Sequence, residues 1–197
     1  MIDLAPATRR TAELIVAISE EHFKLPTPCP QYTVGDLVHH MDGLALAFTE
    51  AAAKHVPEGG TSGPVVDASL LEDGWRDRVP RRLAALAEAW LTPVAWEGMT
   101  EVGGVELPGD IAGLVALDEV VVHGWDLARA LDLPYSVDPG LIEACMTILT
   151  PQPDEPERPV GDDVMFGRPV EISPEAPPLD RLVAMAGRNP LWTPPEH

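Results

Sequence analysis

DEVVVHGWDLARAL, residues 118–131, lays two patterns over one stretch of chain. Extended back to about Pro108, its apolar residues recur at helical spacing. Ile111, Leu114, Val115, Val122 and Trp125 form a stripe, which predicts a helix from about Pro108 to Leu131. The second pattern is chemical. Glu119 and His123 are four residues apart, so a helix stacks them on one face, and Asp126 continues the line. That face borders the apolar stripe, which brings these groups within reach of a bundle interior.

Upstream, TPCPQYTVGDLVHHMDG (residues 27–43) leads into another helix. Thr33 and Asp36 are spaced as a capping box, and Val34, Leu37, Val38, Met41, Leu44, Ala45 and Phe48 make a stripe running to about Lys54. Before it, Leu4, Thr11, Ile15, Ile18 and His22 predict an amphipathic helix over about residues 4–23, ended by the proline-rich PTPCP. Leu71, Trp75, Val79, Leu83, Leu86 and Trp90 mark a further helix, in which Pro80 implies a kink or a late start. Residues 94–107 alternate weakly about Gly103-Gly104, as a short hairpin does. Asp138-Pro139 opens a shorter helix ending near Leu149.

After Thr150 the composition shifts. PQPDEPERP reads as a linker or surface-hugging loop, FGRPVEI as one edge strand, and LDRLVAMAGRNP as a short helix stopped by Gly187 and Pro190. Val164, Phe166, Val170, Ile172, Leu182, Val183 and Met185 need burial, and a tail of this length is too short for a separate core.

The chain has 197 residues and a formal net charge of −19, with a pI near 4.4. Such a surface repels nucleic-acid phosphates and anionic membranes, so neither is an expected partner. The two cysteines, Cys29 and Cys145, lie far apart and form no CxxC pair. With no signal-peptide core in MIDLAPATRRTAEL and no membrane-length apolar run, a cytoplasmic protein is expected. Cys29, between two prolines, reads either as a structural thiol or as a reactive one, with no cation near it in sequence to activate it.

The histidines carry the sharpest chemistry. His39 and His40 are adjacent and point about 100° apart on a helix. Position 40 sits beside Leu37 and Leu44 at the stripe edge, and position 39 points away, so His40 is the one expected inside. One His from this helix with Glu119 and His123 from another makes a three-ligand divalent site, leaving a position open for water or substrate. Glu and His at this spacing are also a common surface pair, so a purely structural role stands beside the metal reading. Asp126 either supports the ligands from outside or pairs with Arg129. HExxH, GxGxxG, P-loop and GxSxG patterns are absent.

Two segments resemble a known family. Residues 27–43 resemble a turn followed by a W-T-V-x-D-L entry into a His-bearing helix, with Tyr32 standing where that family has Trp. Residues 118–131 resemble its second signature, E-x-x-x-H-x-W-D-L-A. Together they resemble the mycothiol-dependent maleylpyruvate isomerase N-terminal family, within the DinB-like metal-binding bundles. DRLVAMAGRNP is similar to the tail of one branch of it. The resemblance implies His40, Glu119 and His123 as ligands of one divalent ion, usually zinc, with nickel among relatives. It also implies a low-molecular-weight thiol such as mycothiol, used for isomerisation or S-transfer.

The expectation is therefore a mainly α protein. Residues 1–150 form a metal-binding, DinB-like four-helix bundle, and residues 151–197 form a C-terminal extension packed on it, adding one or two small strands. The leading function is a metal-dependent enzyme joining a thiol to a small electrophile. The alternatives are a non-catalytic metal-binding protein and a helical interaction module. Because the post-bundle segment is much shorter than the isomerase's second domain, maleylpyruvate itself is not the expected substrate. Arg181 and Arg188, in a chain poor in basic residues, either hold a carboxylate of cofactor or substrate or pair with acidic neighbours. The sequence leaves the oligomeric state open, a homodimer among the options.

Overall fold

The computed structural model describes residues 1–63, 65–150 and 167–195. Among these residues are six α-helices: α1 (Ala5–Ala17), α2 (Val34–Ala52), α3 (Trp75–Ala89), α4 (Gly109–Ala130), α5 (Pro139–Leu149) and α6 (Pro178–Met185). One antiparallel pair of strands, β1 (Met99–Val102) and β2 (Val105–Pro108), accompanies them. The protein is mainly helical with a small two-stranded sheet, as the patterns imply. The sheet is the hairpin about Gly103-Gly104, where φ values of 61° and 80° suit glycine and match the twist of a tight hairpin. The described part of the FGRPVEI stretch, residues 167–172, is not a strand; Pro169 has no N–H, and Val170 N donates instead to Ala184 O (2.9 Å). Val164 and Phe166 lie outside the described residues.

α1 is shorter than the spacing predicts. The backbone turns extended at Ile18, and Ser19 starts a separate 3-10 turn over Glu20–His22, with Ser19 N donating to His22 Nδ1 (3.2 Å). A local Ser–His capping box outcompetes continuation of the helix. α2 begins as expected: Thr33 Oγ1 accepts from Asp36 N, and Thr33 N donates to Asp36 Oδ2 (3.0 Å). α3 starts late, at a left-handed Gly74, and carries Pro80 within it.

α1 packs on α3 and α4, and α2 packs on the same two, so the four form a bundle with α1 and α2 diagonal. Leu14, Ile15, Leu37, Met41, Leu83, Leu86, Leu117 and Val121 are fully buried within it. Each such side chain contributes about 1.5–3 kcal/mol. Trp90, also buried, donates Nε1–H to Phe48 O (3.1 Å), so its one polar atom is satisfied. Asp42 of α2, nearly buried, receives Arg78 and Arg82 of α3 at 2.9 and 2.8 Å.

α4 is enclosed on nearly every side: α1 and α2 flank it, and α5 packs on it in turn. α6 packs on α5, with Leu182, Val183 and Ala184 buried. At Gly124 the chain beside α4 comes closest. Thr11 Oγ1 donates to Val120 O (3.2 Å) and the Tyr135 hydroxyl to Val121 O (3.0 Å). A methyl at position 124 would lie 2.5 Å from both oxygens.

Candidate metal centre

α2 and α4 bring three groups together. His40, on the second turn of α2, and Glu119 and His123, mid-way along α4, offer ligand atoms that all lie within 4.8 Å of one another. Glu119 Oε2 sits 3.1 Å from His40 Nε2 and 3.2 Å from His123 Nε2. The two imidazole rings stand nearly perpendicular, at 83°, with centroids 4.9 Å apart. All three side chains are almost completely withdrawn from solvent. His39 is half-buried and faces elsewhere, accepting from Asp67 N at Nδ1 (3.3 Å).

The donor set fits a divalent ion in two respects. Two ligand atoms bound about 2.0–2.1 Å from a tetrahedral ion lie about 3.3 Å apart, and the observed 3.1 and 3.2 Å match that spacing. The second is the outer hydrogen bond. His123 Nδ1 meets Asp126 Oδ2 at 3.0 Å, and that carboxylate is fully buried. A carboxylate on Nδ1 holds the proton there and leaves Nε2 free to bind, as metal-ligating histidines require. His40 Nδ1 is buried and has no hydrogen-bond partner among the described residues, so Nε2 alone orients that ring.

The electrostatics describe a site in which protons stand where a cation would fit. Burial opposes the Glu119 charge, but hydrogen bonds from His123 and His40 outweigh it and hold the carboxyl far below the usual range. Burial also opposes a charged His123, yet Asp126 and Glu119 prevail and raise it to about 9. For His40 burial wins, assisted by the charge on His123, and its pKa falls.

Asp126 is not paired with Arg129, which donates to Trp192 O. Besides His123, it accepts from Arg188 Nη2 (3.2 Å) and Nε (3.4 Å), while Arg188 Nη1 donates to Ala186 O (2.7 Å). Arg188 is thus ion-paired with an acidic neighbour. Two groups from the loop before α2 stand near the site: Tyr32, read from the sequence only as a replacement for the family's Trp, and Cys29, whose thiol the sequence left open between a structural and a reactive role. Tyr32's ring lies 6.0 Å from that of His40, and Cys29 is within electrostatic reach of Glu119, Asp126 and Arg188. Thr27 folds their loop back by donating to Cys29 O and Tyr32 O (3.0 and 2.7 Å). Burial pushes the Cys29 thiol up to about 11, overriding the pull of Arg188. Position is the one local signal: Tyr32 directly precedes the Thr33 cap of the helix that carries His40, and Cys29 lies four residues before that cap.

The family model described as the mycothiol maleylpyruvate isomerase N-terminal domain matches residues 4–128. Two uncharacterized proteins of Mycobacterium tuberculosis, from two strains, are each 26% identical over 183 residues, covering 90% of this chain and 91% of theirs. No solved structure matches the chain. The chain belongs to the mycothiol maleylpyruvate isomerase N-terminal domain family, a DinB-like family linked to mycothiol-dependent isomerisation.

Proposed function

We propose that this member of the family is a divalent-metal-dependent enzyme that joins a low-molecular-weight thiol of the mycothiol type to a small electrophile, in S-transfer or isomerisation. The observation that carries the reading is the convergence of His40 Nε2, Glu119 Oε2 and His123 Nε2 on one buried point, with Asp126 behind His123. Those three atoms would hold the ion, and zinc suits a nitrogen and carboxylate set. A bound divalent cation supplies positive charge that lowers the pKa of a thiol or water beside it.

The remaining chemistry belongs to the chain's own groups. Glu119 supplies one negative charge and keeps both Nε2 atoms aimed at a common point. Asp126 fixes the tautomer of His123. Tyr32, on the loop before α2, sets its ring 6.0 Å from that of His40, and Cys29 lies on the same loop. With its hydroxyl pKa raised by burial and by the nearby acidic groups, Tyr32 stays a neutral donor at physiological pH. The acidic surface favours a small-molecule substrate over nucleic acid. Among the described residues no helix is long and apolar enough to cross a membrane.

The division into a metal-binding bundle over 1–150 and an extension over 151–197 belongs to the same proposal. Its support is that, among the described residues, α6 makes its main helix packing with α5, the last helix of the bundle unit. The test is elemental analysis of purified protein beside His123→Ala, followed by thiol consumption with a panel of electrophiles. One zinc or nickel per chain, lost in the variant, together with metal-dependent thiol consumption, is the expected result. A wild-type chain that retains no divalent metal after exposure to it refutes the reading; stoichiometric metal without turnover reduces it to a metal-binding protein.

A further inference from the structure

Asp126 is shared. Its Oδ2 takes the His123 Nδ1 proton from one side and the Arg188 guanidinium from the other. The carboxylate is wholly buried, and its other oxygen has no partner among the described residues, so these contacts alone orient it. Arg188 lies well beyond residue 128, where the family match ends. It stands just after α6, where Gly187 adopts φ 86° and Arg188 N donates to Val183 O (2.8 Å), closing the helix and turning the side chain inward. A second bond ties the same segment to the same helix: Arg129, one turn beyond Asp126 on α4, donates to Trp192 O. The tail is therefore anchored to the helix that carries two of the three ligand atoms.

We propose that Arg188 is a positioning residue for the metal centre: it fixes the Asp126 carboxylate against His123, so that filling the His40–Glu119–His123 site and docking of the C-terminal segment form one linked equilibrium. This rests on the metal-binding reading. The argument is geometric. A carboxylate held by one hydrogen bond can swing about its own axis, whereas the Nε and Nη2 donors of a planar guanidinium on the same oxygen set its direction. Partners of this kind behind a metal-binding histidine commonly change metal affinity by about 10–100-fold when removed. Linkage then makes the effect reciprocal: whatever factor docking adds to metal affinity, metal adds to docking.

The test uses the full chain. Zinc affinity is measured by competition with a chelator for wild type, Arg188→Lys and Arg188→Met. Amide exchange of residues 182–188 is followed in wild type with and without saturating zinc. The expected results are a weakening of about 10–100-fold in Arg188→Met, partial recovery in Arg188→Lys, and a zinc-induced slowing of exchange by a comparable factor. Wild-type affinity in Arg188→Met, or zinc binding with no change in tail exchange, overturns the coupling while leaving the metal site standing. A wild-type chain that binds no zinc overturns both. The exchange measurement needs no variant, so a misfolded Arg188→Met cannot shield the proposal.

Discussion

Loading the centre should expel one proton, and that proton belongs to His123. In the metal-free protein its pKa is about 9, so at pH 7.5 it is almost wholly protonated. Its two N–H groups then face Asp126 and Glu119. A cation taking Nε2 must displace the proton directed at Glu119. His40 has a lowered pKa and is neutral already, while Glu119 is ionised throughout, so neither adds to the count. Removing the proton at pH 7.5 costs about 2 kcal/mol, 1.5 units at about 1.36 kcal/mol each. Affinity should therefore rise about tenfold per pH unit, about 100-fold from pH 6.5 to 8.5, and level off above 9. Calorimetric titration with zinc at pH 7.5, in buffers of differing ionisation enthalpy, reads the release directly. The expected slope is close to one proton. Asp126→Asn, which removes one of the two groups holding the proton, should release less. Zero transfer at pH 7.5, or affinity constant across that window, refutes the reasoning.

The same titration has a stability counterpart. A folded pKa above the unfolded 6.5 stabilises fully below 6.5, and the gain is lost as pH rises through about 9. Denaturant midpoints of the metal-free protein should fall over that range, by up to about 3 kcal/mol in unfolding free energy, while those of the zinc-loaded protein should not. Asp42→Ala strands Arg78 and Arg82 between α2 and α3 and should destabilise by about 1–3 kcal/mol without altering metal content; a change in metal content would show that this pair reaches the centre. Truncation after Thr150 removes α6, one of the two helices packed on α5, and the Arg188 contact, so the fragment should lose several kcal/mol, judged by the burial of Leu182 and Val183. A fragment as stable as the full chain contradicts this.

Much of the centre could be read from the chain because its information is local. Glu119 and His123 are separated by one helical turn, and the preference for His40 over His39 needs only the stripe of α2. The hairpin was legible for the same reason, since two consecutive glycines specify their own turn. What escaped was non-local or finely balanced. No periodicity connects Arg188 to Asp126, or Cys29 to Glu119; those approaches exist only once α6 has packed on α5 and the Thr27 loop has folded back. The end of α1 was missed because Ile18 and His22 fit a helical stripe, while the Ser19–His22 capping pair that stops it contributes nothing to hydrophobic periodicity. The tail strand failed because Pro169 left Val170 a single bond to Ala184 where a ladder would need several.

The crowding at Gly124 has a consequence for how sequences of this family can change. Thr11 from α1 and Tyr135 from the segment after α4 both bond carbonyls in the turn just before Gly124, and the space left there is smaller than a methyl group. Residues 11, 124 and 135 therefore make one unit of variation, although they lie on three separate stretches of chain. A homologue that carries alanine at 124 should be found with a smaller residue at 11 or 135. One that keeps threonine and tyrosine should keep glycine too, and so should hold α1 at the same distance from the helix that presents His123.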